Sequence, residues 1–306
     1  MALNSYSCVN SFGNTGIGKC SLIPAHIVGM ILVPLNFVIT EANAANLQTF
    51  MNDAAKEASK ASRIYPIHNF VGMTDNSEDA VSETTGYGYS VPLRDGNYSW
   101  TFRFIQGGIC LLKSLQSFNH QNLAALFVDA NGVLFGRNVS NGLAGVPLIS
   151  FYAGKWTVSD SSTVANFPVT VVFDPKYLNK DLGFVSDENF NASEITGLQD
   201  VDIKPIGAQT DTILSLQVLG SCGGENLFDL YSDELADGTL WNAVDSVSGA
   251  SLTITSVAAN AANKSFTMTL SAARTNATLV SLKDPATLET NDIVGIESKV
   301  ATIPLA

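Results

Sequence analysis

The stretch GNTGIGKC, residues 13–20, puts Gly13, Gly18 and Lys19 at the spacing of a phosphate-binding loop, G-x-x-x-x-G-K followed by Ser or Thr. Such a loop wraps phosphate oxygens in backbone N–H groups, leads from a buried strand into a helix N-terminus, and holds Mg²⁺ through the final hydroxyl. Here Cys20 stands in the hydroxyl position, and a thiol is a poor ligand for a hard cation. Ser21 comes one residue late, and the preceding SYSCVNSF is polar rather than a buried-strand run. Pro24 falls where the helix should be established, although a first turn tolerates proline. The segment ALFVDANG, the nearest to an apolar strand ending in a Mg²⁺-binding Asp, runs straight into a turn. The stretch therefore reads as a glycine-rich arm able to lie close against another chain, with an NTPase using Lys19 as the alternative.

Other residues capable of chemistry are scattered. His26, His68 and His120 stand alone, outside any H-E-x-x-H or H-x-H pattern, and are expected to be structural. No G-x-S-x-G is present for acyl transfer. Gly107-Gly108 and Gly223-Gly224 read as turn glycines. Asp129 is the acid closest to an apolar strand, and the turn that follows it accounts for it. Asp75, Glu78, Asp79 and Glu83 lack the alternating oxygen ligands and the glycine of a calcium loop. Cys8, Cys20, Cys110 and Cys222 form no CxxC pair; a Cys8–Cys20 bridge is open, and buried or free thiols in a reducing compartment are the expectation. Asn97, Asn138 and Asn263 open N-x-S/T triplets, which carry little weight without a signal peptide. The sequence thus points to no catalytic, cofactor-binding or metal residue, to no cofactor, and to a protein that is not an enzyme.

Bulk composition agrees. Charged residues make up 14% of the 306, where globular chains carry about a quarter. A surface so poor in charge must be covered by Ser, Thr, Asn and Gly, or buried against other subunits. The net charge of −12 opposes stable binding to nucleic-acid phosphates and offers no polybasic handle for anionic membranes. The apolar run from Ile27 to Ile39 contains Pro34 and Asn36 and is too short to span a bilayer. No secretory signal is visible at the start, so cytosolic synthesis is expected.

The elements follow from periodicity. A strand is expected over Ile27–Val33, extending to Ile39. Thr40 should cap a helix over about 41–62, with Leu47, Phe50, Met51, Ala54, Ala58 and Ala61 on one stripe. IYPIHNFVGM reads as a strand, and residues 74–88 as a long exposed acidic loop. Tyr89, Val91 and Leu93, then RDGN, then Tyr98, Trp100, Phe102 and Phe104 predict a hairpin around Asp95-Gly96. Its aromatic row is core or interface, or else a sugar-stacking platform centred on Trp100. A short helix over 111–118, a hairpin around Asp129–Gly132 and a strand at Thr170–Phe173 come next. Residues 179–205 are polar and turn-rich and mark a domain boundary. Beyond it ILSLQVL, LTITSV, SFTMTL and ATLVSL alternate without a clear helix and indicate an immunoglobulin-like β-sandwich. Residues 206–306 hold 4 basic and 11 acidic side chains, so the smaller domain is the more acidic for its length.

The fold class expected is mainly β: a sandwich or barrel with one flanking helix over residues 1–195, and an immunoglobulin-like sandwich over 206–306. MALNSYSCVNSFGNTGIGKC, the strand and helix after it, GYGYSVPLRDGNYSWTFRF and SFNHQNLAALFVDANGVLFG together resemble structural proteins of tailed bacteriophages, with the layout of a major tail tube protein bearing an added C-terminal domain. The resemblance covers residues 1–185. It implies homo-oligomeric, commonly hexameric, rings stacked around a channel, other virion tail proteins as partners, and viral DNA passing without specific binding. It implies a place in the virion tail, with no membrane anchor. Acidic walls would repel phosphates and let a duplex slide. A capsid decoration protein or tail adaptor, and a carbohydrate- or receptor-binding protein, are the alternatives. The tube part is large for the family, and the arm unusually rich in Gly and Asn.

Overall fold

In a computed structural model of the chain, residues 25–305 are described, apart from 69, 188 and 196. The described residues are mainly β and form two compact units: one runs to Ala55 and from Ser59 to 195, the other comprises Lys56–Ala58 and the chain from Gly197 on. Gln199–Pro205, within the stretch expected to hold the domain boundary, is a strand of the second unit.

The first unit has fourteen strands among the described residues: β1 (Ile27–Pro34), β2 (Val38–Ile39), β3 (Tyr65–Ile67), β4 (Phe70–Asp75), β5 (Val81–Thr84), β6 (Ser90–Arg94), β7 (Tyr98–Phe104), β8 (Leu123–Asp129), β9 (Leu134–Val139), β10 (Gly142–Ala144), β11 (Val146–Pro147), β12 (Ser150–Ala153), β13 (Phe167–Phe173) and β14 (Leu182–Val185). One sheet runs β2-β10-β9-β8-β1-β3, with β11 on β8 and β14 on β9. A second runs β12-β13-β7-β4, and β5 and β6 form a ribbon of their own.

Period-2 alternation builds two cores from the larger sheet. Met30 and Leu32 of β1, with Leu123, Ala125 and Phe127 of β8, face the smaller sheet, where they meet Trp100, Phe102, Phe104, Val169, Val171 and Phe173. Ile31 and Val33, with Ala124, Leu126 and Val128, face the other way, onto Leu47, Met51 and Ala55. Every residue of β8 is therefore buried, as expected of a strand covered on both faces.

The helix expected over 41–62 is two pieces, α1 (Glu41–Ala44) and α2 (Leu47–Ala55). Thr40 does cap it: its hydroxyl accepts from the Asn43 N–H at 3.3 Å. Past Ala55 the stripe offers only Ala58 and Ala61, both exposed, and so small a side chain buries too little to hold another turn on the sheet. The chain turns back, and the Ile64 N–H donates to the Ala54 carbonyl at 3.1 Å, satisfying a group the helix end leaves open. The helix expected over 111–118 is α3 (Gly108–Gln116); α4 (Lys176–Asn179) is a single turn.

The second unit carries β15 (Gln199–Pro205), β16 (Ile213–Gly220), β17 (Trp241–Asp245), β18 (Ile254–Asn260), β19 (Ser265–Leu270), β20 (Thr278–Leu282), β21 (Ile296–Ser298) and β22 (Ala301–Ile303), with short helices α5 (Phe228–Tyr231) and α6 (Pro285–Glu289). Its sheets run β18-β19-β16-β15-β21 and β17-β20-β22 and share one core. Phe266, Met268 and Leu270 point into it as their alternation requires. Arg274 is buried without a carboxylate among its hydrogen-bond partners: its guanidinium donates to the carbonyls of Thr210, Ile303 and Pro304 at 2.9, 3.3 and 3.2 Å.

Candidate assembly surface

The hairpin expected between residues 89–93 and 98–104 does not form. β6 pairs with β5, Glu83 opposite Val91 and Thr84 opposite Ser90, while β7 lies between β13 and β4. Residues 74–88, expected as loop, supply β4's end and all of β5. The β4–β7 ladder continues beyond the sheet, the Asn76 N–H donating to Ser99 O at 2.7 Å and the Glu78 N–H to Asn97 O at 3.0 Å. Gly96 is where the two legs press together: a Cβ there would lie 1.9 Å from the Glu78 carbonyl oxygen. This glycine thus serves close backbone approach rather than the tight turn that Asp95-Gly96 suggests. The tip closes with Gly88 at φ +82° and the Thr85 N–H donating to Tyr89 O at 2.8 Å.

All nine residues of β5 and β6 are exposed. Tyr89, Val91 and Leu93 share one face, beside Glu83; Ser82, Thr84, Ser90 and Pro92 make up the other. Tyr87 at the tip is 93% exposed, Tyr89 73% and Leu93 61%. A two-stranded hairpin with one apolar face is marginally stable alone in water. The signals that could have located β5 are the turn-forming TTGYG and the Val81–Glu83 alternation before it; what hid them was the acidic residues between.

The remaining candidates are placed as follows. The aromatic row of β7 is core: Trp100 is packed against Phe127 and Phe173 at centroid distances of 5.0 and 4.7 Å, and Phe102 and Phe104 are fully buried. The core reading holds over the sugar-platform alternative, since a ring enclosed on both sides has no face to offer a glycan. Asp129 is buried and spends its carboxylate on the local turn, accepting from the N–H groups of Ala25, Asn131 and Val133 at 3.1, 2.9 and 2.9 Å. His68 lies between β3 and β4, beside Gly29, with a buried Nε2 that has no hydrogen-bond partner among the described residues; burial pushes its pKa down. His120 turns the chain after α3 at φ +64°, and the carbonyl of His26 accepts from the Ala130 N–H at 3.0 Å. The structure brings none of the three together. Cys110 and Cys222 are each disulfide-bonded, correcting the expectation of free thiols: sequence spacing does not fix which thiols a fold brings together. Residues 13–20 with Lys19, and Cys8, lie outside the described residues.

The concavities formed by the described residues include the following two. One, of 410 Å³, is lined by residues 138–143 with Glu41, Gly183 and Phe184; the other, of 460 Å³, by Ile206, Gly207, Ala208, Ser215, Gln217 and Asn263. The first lining holds Glu41 and Ser140, with no hydrogen bond between them. Among the described residues no group of three His, Cys, Asp or Glu could hold a metal ion, and no helix is long and apolar enough to cross a membrane.

No family model and no curated protein matches the chain. Among solved structures it is similar to one described as the anti-feeding prophage cap, a tube-terminating cap seen by cryo-electron microscopy. Identity is 9%, the TM-score 0.25, and the match covers 57% of this chain and 99% of that one. A TM-score that low decides neither fold nor role.

Proposed function

We propose that this is a structural protein of a phage tail that assembles with copies of itself into stacked rings, forming a tube through which DNA passes. The observation that carries it is the β5–β6 ribbon: an apolar face built from the chain's own pairing and left exposed among the described residues. A second copy supplies the missing layer. The smaller sheet supports the same reading, because its outer strands β12 and β4 have edges that strands of a neighbour can extend. At β12, Asn119 covers one end, its side chain accepting from the Ala153 N–H at 2.7 Å. The sequence resemblance to tail tube proteins points the same way. In this reading the protein does no catalysis, its partners are its own copies and other tail proteins, and the C-terminal unit is an immunoglobulin-like domain decorating the outside.

Negative-stain electron microscopy across a concentration series tests it. Tubes or stacked rings with a central hole are expected, and Val91→Asp with Leu93→Asp should abolish them while leaving the circular dichroism unchanged. A chain that stays monomeric throughout overturns the reading, and a small closed oligomer that never polymerises replaces it with a tail adaptor or capsid decoration protein.

A further inference from the structure

We propose that the acidic ribbon of one copy seats on the opposite, basic end of the smaller sheet of the next copy, so that copies join head to tail. This rests on the self-assembly reading above and specifies which surfaces meet.

Strand register defines the two ends. At one, Asp75 lies opposite Trp100 and Tyr98 opposite Phe173; the ribbon leaves here, from β4 and β7. At the other, Phe104 lies opposite both Phe70 and Phe167. From that end a second hairpin, residues 154–166, leaves β12 and β13. A bridge between Thr157 and Asn166 closes it, and Asp160 caps its turn by accepting from the N–H groups of Ser162 and Thr163 at 2.8 and 2.7 Å. It too carries exposed apolar side chains, Val158 at 75% and Val164 at 57%. The two projections thus spring from opposite ends and opposite edges of one sheet, which is the placement a repeating head-to-tail contact requires.

Charge distinguishes the ends. Residues 75–97 carry five carboxylates against Arg94 alone, net −4. The far end carries Arg103, Lys113 of α3 and Lys155, all exposed, against Asp160, net +2 over residues 103–122 and 154–166. Helix α3 belongs to this end: it follows β7, and its Gln116 donates to the Gly154 carbonyl at 3.3 Å. A two-fold contact would set ribbon against ribbon, with like charges opposed, whereas a head-to-tail contact sets opposite charges together.

The test is a charge exchange. One variant carries Asp79→Lys, Glu83→Lys and Asp95→Lys; the other carries Arg103→Glu, Lys113→Glu and Lys155→Glu. All six side chains are exposed, so both variants should fold, which circular dichroism checks. In sedimentation velocity each alone should need a concentration at least about tenfold above wild type to polymerise, the effect of losing roughly 1.4 kcal/mol per contact. An equimolar mixture should polymerise again, because each ribbon now meets a far end of opposite sign, and wild-type assembly should weaken as salt is raised. Variants that assemble alone like wild type overturn this contact and leave the self-assembly reading standing. Variants that fail alone and remain apart when mixed overturn it as well. A wild-type chain that never polymerises removes both.

Discussion

Two hairpins of the first unit, β8–β9 and β5–β6, end in opposite surroundings. Each turns through a glycine of positive φ, Gly132 at +77° and Gly88 at +82°, but β8 is an unbroken apolar run, LAALFVD, whereas β6 alternates apolar and polar residues. Every residue of β8 is buried and every residue of β5 and β6 is exposed. Local sequence marks that difference only in part, since the apolar face of β6 would serve equally well in a core. β8 has α2 on one face and a sheet on the other, both supplied by its own chain, whereas the ribbon has left the sheet before reaching any covering layer. An apolar face that the described residues leave open is what the assembly proposal rests on; an apolar strand covered twice is a structural beam.

The comparison breaks most visibly at Phe127, which packs on Trp100, Phe135 and Phe173. Phe127→Ala should cost about 3–5 kcal/mol of unfolding free energy, read from urea denaturation of the unassembled chain. A loss below about 1 kcal/mol would mean the core collapses around the gap and is less tightly built than β8's burial implies. A smaller effect is expected from acid. Burial holds the His68 pKa below its ordinary 6.5, so the unfolded chain binds the proton first. The stabilising contribution is complete above about 6.5 and is lost as pH falls below it. The urea midpoint should drop between pH 7.5 and 5.5, and His68→Gln should flatten that part of the decline; an unchanged pH profile in the variant would remove His68 from the account. The smallest effect belongs to the ribbon. Tyr89→Ser with Val91→Ser should leave the stability of the unassembled chain within about 0.5 kcal/mol of wild type while eliminating self-association. A loss as large as that of the core variant would show the ribbon to be part of the fold, and the contrast between the two hairpins would fail.

Much of the architecture was legible from alternation alone, and the failures have physical causes. The β8–β9 hairpin, β13, β16, β19 and β20 read correctly because each has at least one buried face that its residues must mark; β1 did so only to Pro34, where a turn leads to β2 in place of the expected extension to Ile39. The split between β3 and β4 was not readable: one apolar run serves two sheets, and only the arrangement of partners decides where it divides. The helix was overextended because alanines continue a period without supplying area to bury. β6 was assigned to the wrong partner because Asp95-Gly96 is a strong local signal, whereas the contact that decides the geometry, Gly96 against the Glu78 carbonyl, is set by residues on the other leg. β21 and β22 have three residues each, too few to show a period. Helix α6 could have been found: Asp284 accepts from the Thr287 N–H at 3.0 Å with Pro285 at the first helical position, a start signal plain in the sequence. For the candidate surface, the sequence suggested reach through the 74–88 segment, but the apolar face on an isolated ribbon emerged only from the pairing.

The pairing of β1 with β8 has a consequence for the order in which the protein is made. Ile31 lies opposite Pro66 on one side and Leu126 on the other, so a nascent chain can pair IVGMILVP with β3 early but leaves its second edge open until the ribosome has delivered β8. The ribbon, by contrast, closes between neighbours in sequence, Val81 with Arg94. Contacts of long range form slowly, and during the wait the unpaired edge of an apolar strand is open to wrong partners. Translation speed and chaperone supply should therefore limit the yield of this protein more than the stability of its finished fold.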